Sequence, residues 1–223
     1  MTAKTKTTKT TKKTTRADII SAYMEYVLTL GEPQSVYAFC KANKFEESVF
    51  YNHFGSLEGI KKNIWVDFYD HVETLLHKNN DYLNYSSRDK LLTFYFTFFE
   101  MLTANRSYIL WTLKEHDNKL QSLKQLSGLR KRIVEFGRNL VQNDNAEKNI
   151  KILKKPEMLV AEATWLQFLF LLKFWLEDDS AGFQKTDVAI EKSVNTVFDV
   201  FDNTPLDNIL DLGKFLWKER MVG

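Results

Sequence analysis

The chain has little of what ends helices. Its 3 Pro and 8 Gly in 223 residues leave long stretches uninterrupted, which argues against a turn-rich β fold and for helices. A single cysteine, Cys40, excludes both a disulfide framework and a cysteine-based zinc site. The four histidines, His53, His71, His77 and His116, include no pair spaced four apart. There is no His-Glu-x-x-His, no Gly-rich phosphate loop and no nucleophile elbow, and Gly213-Lys214 lacks the rest of a P-loop. These absences argue against an enzyme, and neither a metal nor a cofactor is expected. No apolar run follows the basic N-terminal residues, so a secretory signal is not expected either.

What is present is an apolar, aromatic chain, 44% hydrophobic and 27% charged, able to bury a substantial core. It reads as all-α, with a tail at 1–16, a small helical unit at 17–60 and a larger one at 61–223. The formal charge of +2 hides an asymmetry. Lys4, Lys6, Lys9, Lys12, Lys13 and Arg16 stand in the first 16 residues without an acid, leaving the remainder mildly acidic. A segment this low in complexity cannot bury a core and is expected to be disordered. It reads equally as a solubilising tail or as an arm that tracks a nucleic-acid backbone or enters the minor groove. Six phosphate contacts would give binding a log–log salt slope of roughly −5.

Residues 35–60, SVYAFCKANKFEESVFYNHFGSLEGI, carry the strongest signal. Val36, Phe39 and Cys40 recur at helical spacing, a turn follows near Asn43-Lys44, and Val49, Phe50 and Phe54 resume the pattern. Helices this short must dock on a longer one, and Ile19, Ile20, Tyr23, Val27 and Leu28 of the preceding segment offer its face. The result is a three-helix unit whose second short helix turns a polar face outward, as a DNA-reading helix-turn-helix does.

This run resembles the N-terminal domain of the tetracycline-repressor (TetR) family of transcription factors. Ser35 sits at the family's helix-starting Thr/Ser, Phe39-Cys40 at its Ile-Ala pair, and Val49-Phe50-Tyr51-Asn52-His53-Phe54 at its Thr-Leu-Tyr-x-His-Phe signature. Gly55 to Ile60 then follow its x-Ser-Lys-Glu-x-Leu segment. Lys44 replaces the usual turn glycine, which asks a residue with a Cβ to take φ > 0. Leu57 replaces a lysine, and Glu46 and Glu47 open the reading helix with two carboxylates. The resemblance implies that Tyr51 and His53 contact phosphates, with Ser35, Lys41 and Lys44 on the same surface. Glu47, Ser48 and Asn52 are the candidate base readers; a glutamate there can accept from cytosine N4.

Beyond residue 56 the pattern is helical throughout. A linking helix at 56–78, capped by Ser56, carries Ile60, Ile64, Trp65, Phe68, Val72, Leu75 and Leu76 on one face. A loop is expected at 79–87, then helices at 88–104, 106–116, 120–142, 156–178, 186–202 and 205–219, with Pro156 and Pro205 as first-turn prolines. Leu159–Leu176 is apolar on most faces but interrupted by Glu162, Thr164, Gln167 and Lys173, which favours protein packing over a membrane span. With Val194, Val197, Phe198 and Phe201 of the next helix it could pair and then meet a second copy, the family's usual dimer. The dense aromatics between 91 and 111 either form ordinary core or enclose the family's inducer pocket. Candidate ligand-binding residues are Tyr95, Phe99, Trp111, His116, Trp165 and Phe168, suited to a small apolar or aromatic molecule. Glu177, Asp178 and Asp179 read as a solvated helix end.

The sequence therefore points to a cytoplasmic homodimeric regulator, most readily a ligand-released repressor of a palindromic operator. The alternative is a TetR-like ligand- or partner-binding protein whose acidic helix-turn-helix has weakened or lost specific DNA binding.

Overall fold

A computed structural model describes residues 14–114, 123–146 and 156–203. Nine α-helices occupy them, named here in chain order: α1 Arg16–Leu30, α2 Val36–Asn43, α3 Glu47–Tyr51, α4 Leu57–Leu76, α5 Ser87–Ala104, α6 Arg106–Lys114, α7 Ser127–Ala146, α8 Glu157–Glu177 and α9 Gln184–Asn203. No strand occurs among the described residues. The stretch expected as a loop at 79–87 instead holds a 3-10 turn, Asn80–Asn84, started by Asn79, whose side chain accepts from the Asp81 amide at 3.0 Å. Of the helix expected at 120–142, residues 123 and 124 are helical, 125 and 126 form a turn, and α7 then runs from Ser127. The helix expected at 205–219 lies outside the described residues.

α1 starts where its sequence supplies a complete cap. Thr15 accepts from the Asp18 amide, and the Asp18 carboxylate accepts the Thr15 amide and hydroxyl, both at 2.8 Å. Arg16, grouped with the basic tail in the sequence, is therefore the first residue of a helix. Its guanidinium pairs with Asp67, donates to Asn63 at 2.9 Å and lies 5.1 Å from the Phe54 ring centroid. Leu28, expected in the core, is 44% exposed; Ile19, Ile20, Tyr23 and Val27 are buried.

α4 runs unbroken across the boundary expected at residue 60. Ile60, Ile64, Trp65, Phe68, Val72 and Leu76 are buried in one continuous core from Ile19 to Val194, whereas Leu75 turns outward. α4 packs on α5 and α7, and α1 packs on both α2 and α6. α7 and α8 form the tightest pair. A Cβ built on Gly137 would lie 2.5 Å from Thr164 Oγ1 and 3.3 Å from Ala161 Cα, so only glycine fits between these helices.

At the acidic end of α8, Glu177 and Asp179 are exposed as the solvated end expected, but Asp178 is not. Asp178 is buried, and its carboxylate accepts from the amide and hydroxyl of Ser180 (2.8 and 2.6 Å) and of Thr186 (2.9 and 2.7 Å). The sequence reads all three as a solvated helix end, but the turn into α9 takes Asp178 as its internal scaffold. Above it, Arg106 lies between the rings of Trp175 (4.4 Å) and Phe183 (4.6 Å). It donates to the Trp175, Leu176 and Asp178 carbonyls at the open end of α8.

Two outcomes follow for stability. Gly137→Ala is expected to destabilise the fold by about 1–3 kcal/mol, the cost of overpacking a tight helix contact, measured by chemical unfolding. Burial alone would raise the Asp178 pKa, but its hydrogen bonds from Ser180 and Thr186 hold it well below the ordinary carboxylate range. Its stabilising contribution is thus full above the unfolded value of about 3.9 and disappears as pH falls through the lower folded value. Asp178→Asn is expected to melt earlier than the parent at neutral pH, with the gap closing in acid.

Candidate nucleic-acid interface

Phe39 holds the helix-turn-helix together. Fully buried, it meets Tyr23, Tyr26, Phe45 and Phe50 edge-on, with ring centroids 5.7, 5.7, 5.4 and 6.0 Å away. One side chain of α2 thereby touches α1, the turn and α3. Ser35 caps α2, its hydroxyl accepting from the Ala38 amide at 3.1 Å. α2 ends at Lys44, which adopts φ 59° and ψ 38°, the left-handed conformation the missing glycine demanded. Phe45 N–H then returns to the Cys40 carbonyl at 3.2 Å, and the chain enters α3.

α3 has five residues and one buried side chain, Phe50. Phe54, just beyond it, is also buried, its amide donating to the Phe50 carbonyl at 2.9 Å. Anchored at these two points, the segment leaves Ser48, Tyr51, Asn52 and His53 exposed and Glu47 half-buried. Lys41 and Lys44 are exposed at the C-terminal end of α2, and Ser35 is exposed at its N-terminal end. A concave surface of about 470 Å³ between α2 and α3 is lined by Tyr37, Lys41, Lys44, Glu46, Glu47 and Ser48 among others. Of the residues expected to face DNA, Lys41, Lys44, Glu47 and Ser48 line this concavity, while Ser35, Tyr51, Asn52 and His53 do not.

Tyr37 belongs to that surface and was not singled out in the sequence. It is 58% exposed, with the Lys41 ammonium 5.6 Å from its ring centroid. The available signal was its place one turn before Lys41 and off the Phe39-Cys40 face. Cys40 lines the floor of the concavity but is chemically quiet, since burial, with help from Glu47 and Glu46, pushes its thiol up to about 11.

The folded surface is electrostatically spare. Arg16 is held by Asp67 and Lys61 is buried against Glu32 and Glu58, while Lys62, the next residue of α4, is exposed. From residue 14 to residue 60 the exposed cations are Lys41 and Lys44, matched by Glu46 and Glu47. Leu57, where the resemblance would place a lysine, packs partly buried against the core.

The expected ligand-binding residues divide. Trp165 stacks on Phe168 at 5.4 Å, Phe99 meets Phe168 at 6.1 Å, and the Tyr95 hydroxyl donates to the Thr164 carbonyl at 2.9 Å. These four are buried as mutually packed core. Trp111 stacks instead on Tyr108 of its own helix, and His116 lies outside the described residues. The larger opening is elsewhere, a groove of about 980 Å³ between α8 and α9 lined by Leu166, Gln167, Phe170, Phe174, Val188 and Val197 among others. Leu166 and Phe170 stay 64% and 54% exposed on it. The residues expected to form this face were partly others. Val194 is buried within the protomer, and Phe198 packs inward beneath the Arg88 guanidinium at 5.4 Å. Among the described residues one helix, α8, is long and apolar enough to cross a membrane by length and composition, but 44% of that stretch is buried within the fold. Among the described residues no group of His, Cys, Asp or Glu is placed to hold a metal ion.

A helix-turn-helix with an outward polar face, carried on a larger helical body, is the build of a DNA-binding transcriptional regulator. The family model described as "Tetracyclin repressor-like, C-terminal domain" matches residues 90–216, more than half of the chain, and the chain belongs to the TetR family. Its fold is similar to the crystal structure of a protein assigned as a TetR-family transcriptional regulator from Syntrophomonas wolfei. The TM-score is 0.63 and the identity 15%, over 80% of this chain and 92% of that one. No curated protein matches.

Proposed function

We propose that this TetR-family regulator acts as a repressor, binding a palindromic operator as a cytoplasmic homodimer. The observation that carries this reading is the exposed strip Ser48, Tyr51, Asn52 and His53, presented by a helix whose other side is fixed through Phe50 and Phe39. In this reading Tyr51 and His53 meet phosphates, with Ser35, Lys41 and Lys44 beside them, while Glu47, Ser48 and Asn52 address base edges. The apolar groove of α8 and α9 supports dimerisation, because Leu166, Phe170, Phe174 and Val188 expose one contiguous apolar strip. Two-fold pairing through it would set the separation of the reading helices. A small apolar or aromatic inducer would act by opening the packed cluster of Tyr95, Phe99, Trp165 and Phe168.

Selection from random duplexes, followed by gel shift on the enriched sequence, tests the DNA assignment. Tyr51→Ala and Asn52→Ala are each expected to weaken binding roughly tenfold, with helical content unchanged. Unaltered affinity in both variants would remove the assignment. Phe170→Glu is expected to yield a folded monomer in sedimentation velocity and to lose operator binding; a dimer that survives it would move the interface elsewhere. The exposed Glu46 favours a second reading, a ligand- or partner-binding protein without specific DNA affinity. The same selection separates the two, since that reading requires that no sequence be enriched.

A further inference from the structure

We infer that Tyr37 is a positioning residue for DNA binding: its ring holds the Lys41 ammonium on the α2 side of the concavity, off Glu46 and Glu47, so that the charge stays available to a duplex phosphate. The inference deepens the DNA-binding reading above and rests on it.

Helix geometry makes the pair. Residues 37, 41 and 44 fall at i, i+4 and i+7, so Tyr37, Lys41 and the cap residue Lys44 form one exposed stripe along α2. Side chains of a helix lean toward its N-terminus, which brings Lys41 back over Tyr37, and the ammonium lies 5.6 Å from the ring centroid. Tyr37 is not part of the core beneath. It is 58% exposed and stands apart from the ring cluster that Phe39 makes with Tyr23, Tyr26, Phe45 and Phe50.

The concavity also offers Lys41 a rival partner, because Glu46 and Glu47 line the same surface. An exposed ion pair and an exposed cation–π contact are of similar strength, so geometry decides between them. Here the ring has the ammonium: among the described residues no ion pair includes Lys41. The difference matters to a polyanion. An ammonium bound to a carboxylate must give up that partner before it meets a phosphate, whereas one resting on a ring keeps its charge and its donors to offer.

The test compares the full chain with Tyr37→Phe, Tyr37→Leu, Lys41→Gln and the double variant Tyr37→Leu with Lys41→Gln. The probe is the duplex that the parent enriches from a random 20-base-pair pool, or the unselected pool where none is enriched. Tyr37→Leu keeps an apolar side chain but removes the ring. It is expected to weaken binding about two- to fivefold and to flatten the log–log salt slope by up to about 1 per bound protomer, in the direction of Lys41→Gln. Tyr37→Phe keeps the ring and is expected to match the parent in both. The double variant is expected to bind as Lys41→Gln does alone, since no ammonium is left to position. A Tyr37→Leu variant that binds like the parent, an equal loss in Tyr37→Phe, or a Tyr37→Leu loss that adds in full to that of Lys41→Gln overturns the inference and leaves the DNA-binding reading standing. A parent that binds neither duplex removes that reading and the inference with it.

Discussion

The helix-turn-helix has a fixed position because α4 carries one continuous core from it into the helical body. Ile60 and Ile64 continue the packing begun by Phe39 and Phe50, and Trp65, Phe68 and Val72 continue into the helical body without a break in burial. Polar contacts fix the angle. Arg16 and Lys61 tie α1 and the α1–α2 turn to the first half of α4. The Trp65 indole and the Thr112 hydroxyl both donate to Gln125 Oε1, at 3.2 and 2.8 Å, joining α4 to α6 and to the approach of α7. Buried polar groups that satisfy one another tolerate few alternative arrangements. A shift of α4 must therefore break this node or carry its neighbours along.

Much of the reading unit was readable from the sequence because its signals are local. The spacing of Phe39, Phe50 and Phe54, and the absence of glycine at residue 44, are statements about a few adjacent residues, and the left-handed Lys44 follows from them. The Ser56 cap is of the same kind, its hydroxyl accepting from the Gly59 amide at 2.9 Å. What could not be read depends on partners distant in the chain. Arg16 looks like tail until Asp67, fifty-one residues later, is seen beside it. Asp178 looks like solvated acid until Thr186 closes a turn over it. Val194 and Phe198 form an apolar stripe that periodicity finds but cannot orient. α5 and α8 take that stripe, leaving the outward face to Leu166 and Phe170. Aromatic density between 91 and 111 had the same ambiguity, since a packed core and an emptied pocket are built from the same residues.

The charge distribution departs furthest from a generic DNA-binding unit. Two cations of this region serve internal geometry: Arg16 orients α1, and Lys61 braces the turn after it. Removing either from its acid would leave a partly or fully buried charge without its partner, so these ion pairs are better understood as fixing shape than as adding stability. The outer surface is then free to carry carboxylates without weakening the scaffold beneath it.

Two glycines let α7 lie close against both of its neighbours. Gly128 admits the α4 side chain of Val66 so closely that a Cβ would stand 2.6 Å from Cγ2, and Gly137 admits Thr164 and Ala161 of α8. A Cβ at either position would push the neighbouring helix away, so these two glycines set how closely α7 can lie against α4 on one side and α8 on the other.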